Sequence, residues 1–215
     1  MSDLSGGNPM RPLDGVRVVD AATILAGPFA ASVLGEFGAD VIKVEQPTVG
    51  DPMRRLGTAG PDGDTWWWLS DTRNKESVAL DLRTAEGAES FRSMVDRADV
   101  LVENYRTGTM ERWGLGFESL RERNPRLIQL SVSGYGRTGP LATTAGVARI
   151  AESFTGMAHL TGEADGPPNL SGSSGLADYL AGLYGALGVL LAIRSREATG
   201  RGQLVDLSLI PISEP

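Results

Sequence analysis

Apolar positions along this chain alternate between two rhythms. Short runs rich in β-branched residues, at 16–19, 41–44, 77–82, 100–102, 127–132 and 203–208, read as strands, several of them buried on both faces. Between them, apolar residues recur at helical spacing. Phe29, Val33 and Phe37 put one apolar face on a helix that Pro28 opens and Gly38 closes. Phe91, Met94 and Val95 do the same for a helix capped by Thr84, with Glu86 in its first turn, ending near Ala98. Short helices are expected around 110–113 and 117–123. Val147, Ile150, Ala151 and Phe154 stand at i, i+3, i+4 and i+7 and predict another helix with one apolar face. A long helix is expected over 176–196, and 199–202 then turns into the last strand. Alternating strands and helices predict an α/β doubly wound sheet with mostly parallel strands. The loop after the first strand therefore opens at the carboxyl edge, where such folds bind ligands.

Glycine, proline and threonine mark the breaks. The turn Pro12-Leu13-Asp14-Gly15 feeds the first strand, irregular chain runs from 46 to about Asp64, and loops fill 134–146 and 162–175. Residues 1–11 read as a flexible start, 12–209 as one domain, and 210–215 as an irregular tail. The chain reaches Pro215 directly after its last strand without a closing helix, which predicts the amino-terminal portion of a longer protein.

Composition narrows the chemistry. A net charge of −7 argues against nucleic acid as the main partner, because phosphate binding needs a basic face. The chain has no cysteine, which excludes disulfides, thiolate catalysis and cysteine-based metal sites. No apolar stretch of a secretory signal stands in residues 1–12, so a cytoplasmic protein is expected. The one long apolar run, 179–193, is broken by Gly182, Gly185 and Gly188 and reads as a buried helix rather than a membrane span. The tryptophans Trp66, Trp67 and Trp68 read as packing.

A set of motifs carries a resemblance. They include Pro12-Leu13-Asp14-Gly15, Ala26-Gly27-Pro28, Gly38-Ala39-Asp40-Val41-Ile42-Lys43-Val44-Glu45 and Gly50-Asp51. Asn74-Lys75, Leu80-Asp81-Leu82, Val102-Glu103-Asn104-Tyr105 and Gly114-Leu115-Gly116 follow in order, then Ser131-Val132-Ser133-Gly134-Tyr135-Gly136 and Thr199-Gly200-Arg201-Gly202-Gln203. In this order and spacing, from about residue 12 to 209, the chain resembles the class III CoA-transferases, the CaiB/BaiF or formyl-CoA transferase family. Members of that family run to roughly twice this length.

The resemblance implies a Rossmann-like sheet and transfer of CoA from an acyl-CoA donor to a small carboxylic acid. An enzyme carboxylate attacks the thioester and passes through mixed anhydrides and an enzyme thioester. It implies a coenzyme A thioester as substrate with no permanently bound cofactor, no metal, and an interlocked homodimer or a hetero-oligomer. An acyl-CoA racemase or isomerase and a non-catalytic CoA-binding subunit are the alternatives.

Thr23, Ile24 and Ala26 lie in the loop expected beside the pantetheine arm, and the helix beginning at Pro28 offers N–H groups to anionic oxygens. Arg54, Arg55, Lys75 and Arg112 are the candidate phosphate contacts. Asn104 and Tyr105 match the family's asparagine–aromatic pair, and Ser133 and Tyr135 close the set after the fifth strand. Ala148 stands where the family's catalytic aspartate is expected, and alanine cannot be a nucleophile. Glu152, one turn along the same helix face, is therefore the candidate catalytic carboxylate. His159 reads as structural. Asp178 matches an aspartate common to the family, and is read as stabilising the amino end of the long helix.

Overall fold

A computed structural model describes residues 10–170 and 175–210. Nearly all of the expected flexible start and irregular tail lies outside the described residues. Six strands form one sheet: β1 (Arg17–Asp20), β2 (Asp40–Glu45), β3 (Lys75–Ala79), β4 (Val100–Glu103), β5 (Ile128–Ser133) and β6 (Leu204–Ser208). All pairings are parallel, in the order β3-β2-β1-β4-β5-β6. The order reverses between β1 and β4, so this is the doubly wound sheet that the alternation predicts.

Helices cover both faces. On one lie α1 (Ala26–Glu36), α6 (Ala148–Phe154) and α8 (Leu176–Thr199), packed over Val18, Val41, Val102 and Leu130. On the other, α3 (Ala85–Val95), α4 (Thr109–Arg112) and α5 (Phe117–Arg123) enclose Val19, Val44 and Leu101. Thr84 caps α3 as expected, its Oγ1 accepting from the Gly87 N–H at 3.1 Å. A one-turn 3-10 helix (Pro52–Arg55), α2 (Trp66–Asp71) and α7 (Met157–Thr161) break stretches where no regular element is expected.

Two apolar stripes are buried only in part. Along α1, Phe29 and Val33 are half-buried and pack against the core, Phe37 just past its end is exposed, and Ala30, Ala31 and Leu34 are fully buried. In α6, Val147, Ile150 and Phe154 face outward, while Ala148, Ala151 and Glu152 are buried. α1 and α8 approach closely at the glycines of α8, which leave room for the larger side chains facing them. A Cβ on Gly182 would stand 2.8 Å from Phe29 and 2.9 Å from the Ala26 carbonyl, and one on Gly185 would stand 2.9 Å from Leu130. By length and composition α8 could cross a membrane. Its glycine face is instead packed on α1 and β5, while Leu183, Tyr184, Leu187 and Leu191 remain exposed.

Candidate functional site

Because α1 covers one face and α4 and α5 the other, the loops leaving β1 and β4 diverge and open a crevice between them. The two loops are stitched together at its floor. The Thr23 N–H donates to Asn104 Oδ1 at 2.7 Å, and Asn104 Nδ2 donates to the Thr23 carbonyl at 2.7 Å. This ridge separates two cavities, and Thr23 lines both.

The first cavity, of about 350 Å³, lies on the β2 side and is walled by Gly50, Arg55, Leu82, Arg83, Tyr105 and Trp113. Tyr105 packs edge-on against Trp113, with ring centroids 5.1 Å apart. Burial, reinforced by the charges of Glu103, Asp20 and Asp51, pushes the Tyr105 hydroxyl up to about 12, so it stays a neutral donor. Arg83 is held by Asp81 through two contacts of 2.8 Å and stays exposed. Arg55 donates to the Val49 carbonyl and is likewise exposed. The wall is thus aromatic on one side and cationic at the mouth, a combination suited to a flat ring and phosphates.

The second cavity, of about 370 Å³, lies on the β5 side, between Ile24 and Ala26, Ser133 at the end of β5, Ala148 and Arg149 of α6, and Asp178 of α8. Asp178 sits in the first turn of α8. Burial, together with the negative charge of Glu152, pushes its carboxyl up to about 6. A helix amino terminus favours a carboxylate, so here burial and like charge outweigh that effect. Glu152 itself does not line the cavity. It is 2% exposed and lies behind it, with Oε1 accepting from the Ala177 N–H at 3.4 Å at the start of α8.

The candidates expected to bind or react separate into groups. Thr23, Arg55 and Tyr105 meet at the first cavity, and Thr23, Ile24, Ala26, Asn104 and Ser133 at the second. Lys75, expected to meet phosphate, is instead buried beside Asp20, with Nζ 2.8 Å from its carboxylate. Arg54, expected in the same role, is engaged by Glu45 at 2.8 Å and Asp64 at 2.7 Å and stacks 4.0 Å over Trp68. Both cations are drawn inward because buried carboxylates need partners there, a demand that linear spacing does not reveal. Arg112 donates to Thr109 within its own helix. Tyr135 packs edge-on against Phe154, with ring centroids 5.9 Å apart. His159 is exposed on α7.

The cavities also gather Arg83, Trp113, Arg149 and Asp178, none of them among the residues expected to bind or react. Arg83 directly follows the Leu80-Asp81-Leu82 motif, which was the available signal. Asp178 stood out as a family-pattern residue, but nothing in the sequence shows that its helix begins at a cavity.

A family model described as CoA-transferase family III matches residues 13–212. The succinyl-CoA–L-malate CoA-transferase beta subunit of Chloroflexus aurantiacus is 54% identical over 206 residues, covering 96% of this chain and 51% of that one. The succinyl-CoA–D-citramalate CoA-transferase of the same organism is 46% identical, over 96% of this chain and 51% of its own. The crystal structure of a CaiB/BaiF family protein from Brucella suis superposes with a TM-score of 0.88 at 40% identity, covering 93% of this chain and 53% of that one. The chain spans about half the length of these relatives.

Proposed function

The chain belongs to CoA-transferase family III, and from that premise we propose that the protein carrying it moves CoA from succinyl-CoA to a small hydroxylated dicarboxylic acid. The attacking group in this reading is Asp178. The observation that carries it is a carboxylate facing a cavity at the ligand edge, with its pKa pushed up to about 6 by burial and Glu152. Such a carboxylate is largely ionised at pH 7, yet poorly solvated and hence more nucleophilic than one in open water.

In the first half-reaction the Asp178 carboxylate attacks the thioester carbonyl, forming a mixed anhydride and releasing the CoA thiolate. The thiolate attacks the Asp178 carbonyl, which gives an aspartyl thioester and frees the donor acid. The acceptor carboxylate then attacks the aspartyl thioester, forming a second anhydride and releasing the thiolate again. Attack of the thiolate on the acceptor's acyl carbon yields the new thioester and restores Asp178. No water enters, so the energy of the thioester is conserved.

CoA in this reading lies across the Thr23–Asn104 ridge. Its adenine and phosphates take the first cavity, beside Tyr105, Trp113, Arg55 and Arg83. Its thioester takes the second, beside Ile24, Ala26 and Ser133. Arg149, at the mouth of the second cavity, is placed to meet a carboxylate of the acceptor. The acceptor class rests on the names of the malate and citramalate relatives.

The test is CoA exchange by the full-length protein between succinyl-CoA and a panel of acids, followed by chromatography of the thioesters. Malate-like acids are the expected acceptors. Mass spectrometry of the peptide bearing residue 178 should find the thioester there. Exchange that survives Asp178→Asn but is lost in Glu152→Gln would move the nucleophile back to Glu152.

A further inference from the structure

Four buried charges lie beneath the loop that joins β1 to α1. Asp20, Lys43 and Asp51 are each no more than 2% exposed, and the Lys75 side chain is 2% exposed. Lys43 Nζ stands 3.0 Å from Asp51 Oδ2 and 3.9 Å from Asp20 Oδ1, and it donates to the Ala22 carbonyl. Lys75 Nζ bonds Asp20 at 2.8 Å and the Pro28 carbonyl at 2.7 Å. The cations and anions balance. Even so, a buried network of this kind adds little net stability over apolar groups of the same volume. What it does fix is geometry.

The backbone above it shows which geometry. Ile24 has φ of 64°, a left-handed conformation that is a true outlier for a β-branched residue and persists only where surroundings enforce it. The enforcing contact is Asp51, whose two carboxylate oxygens accept from the Ile24 N–H at 3.2 and 3.3 Å. Asp51 is itself immobilised, since its Oδ1 accepts from Met53 N–H at 2.8 Å and its own N–H donates to Glu45 at 2.8 Å. From the other side Asn104 clamps Thr23. The strained peptide thus sits between two fixed partners at the ridge shared by both cavities.

We infer that Asp51, held in place by Lys43, is a positioning residue for acyl-CoA: it keeps Ile24 left-handed so that the Thr23–Ala26 edge is preformed for the thioester. This rests on the reading of the two cavities as the CoA site. Preformation removes an ordering cost from binding, so its loss falls on donor affinity and not on the chemical step.

The test uses steady-state kinetics of the full-length protein. The paired swap Lys43→Met with Asp51→Leu removes both charges, leaving neither an orphan. It should raise KM for the acyl-CoA donor about tenfold, with kcat and acceptor KM within about twofold. Adding Ile24→Gly, which adopts φ above zero without strain, should bring donor KM back to within about threefold of the parent. Asp51→Asn, a milder variant in case the swap fails to fold, should raise donor KM in the same direction and be rescued by the same glycine. An unchanged donor KM in folded Asp51→Asn or swap protein overturns the inference, and so does a raised KM that glycine does not rescue. Arg83→Ala separates the two layers. If it raises donor KM while the Asp51 variants do not, the CoA reading stands and the positioning role falls. If neither changes donor KM, the CoA reading itself fails.

Discussion

The two sides of the ligand edge hold their carboxylates in opposite ways. On the β2 side Glu45 is buried, which by itself would raise its pKa. Hydrogen bonds from Arg54, Ser77 and the Asp51 N–H override that cost and hold it down at about 2. On the β5 side Asp178 has no such compensation, and burial with Glu152 nearby pushes it up to about 6. A compensated carboxylate is scaffold, because its charge is already spent on neighbours. An uncompensated one keeps its charge available, which is what the role proposed for Asp178 requires.

The largest effect that would break this contrast is at Asp178. Asp178→Asn should lower CoA transfer at least a thousandfold, or about 4 kcal/mol in barrier, measured as initial exchange rate. The same variant should be more stable than the parent at pH 7, by about 1–2 kcal/mol in urea melts. The sign follows from the shift. Asp178 titrates higher folded than its ordinary 3.8, so its penalty is full above pH 6 and fades as pH falls through 6 toward 3.8. The gain should therefore vanish by pH 4. A stability gain that persists there would mean Asp178 is not the uncompensated charge.

Next in size is the compensated side. Arg54→Met strands Glu45 and should cost about 2–3 kcal/mol at pH 7, with donor KM within about twofold. Glu45 titrates lower folded than its ordinary 4.5, so its contribution is full above 4.5 and is lost as pH falls toward 2. In Arg54→Met the folded pKa of Glu45 rises, so that acid loss should shrink and the stability gap to the parent should narrow between pH 4.5 and 2, read from urea melts.

A smaller effect sharpens the comparison. Glu152→Gln removes the like charge beside Asp178, so the acidic limb of the kcat profile should move to lower pH while exchange is retained. A limb that moves upward would contradict the proposed coupling. The smallest change lies away from both cavities. Thr84→Ala, at the cap of α3, should cost about 1 kcal/mol equally at pH 5 and 8, with no change in exchange rate.

Much of the fold was legible because strands and caps act locally. Val18 and Val19, Val41 and Val44, and Val100 to Val102 are apolar on both faces, and only a sheet covered on both sides accommodates that. Thr84 needs only the next turn to act as a cap. The family motifs likewise marked the loop after β1 and the Asn104–Tyr105 pair. The stripes of α1 and α6 held in part: Phe29, Val33 and Ala151 pack on the core, while Phe37, Val147, Ile150 and Phe154 are exposed. Packing against α8 shares in that outcome, since Gly182 leaves room for Phe29 and Gly185 for Leu130. The tryptophan-rich stretch hid α2 for a related reason. Trp68 is buried under Arg54, while Trp66 remains exposed.

By itself, then, the sequence determined the order of strands and helices, the parallel sheet and the family, since these follow from periodicity, caps and motifs in register. Tertiary structure decided which charges are free. Lys75 and Arg54 read like phosphate ligands until the carboxylates Asp20, Glu45 and Asp64 are seen to take them inward. Asp178 read like a helix-end charge until α8 is seen to begin at a cavity, with Glu152 behind it. The physical reason is that a side chain's charge is worth what its surroundings leave unpaired and unsolvated. Those surroundings come from segments distant in the chain.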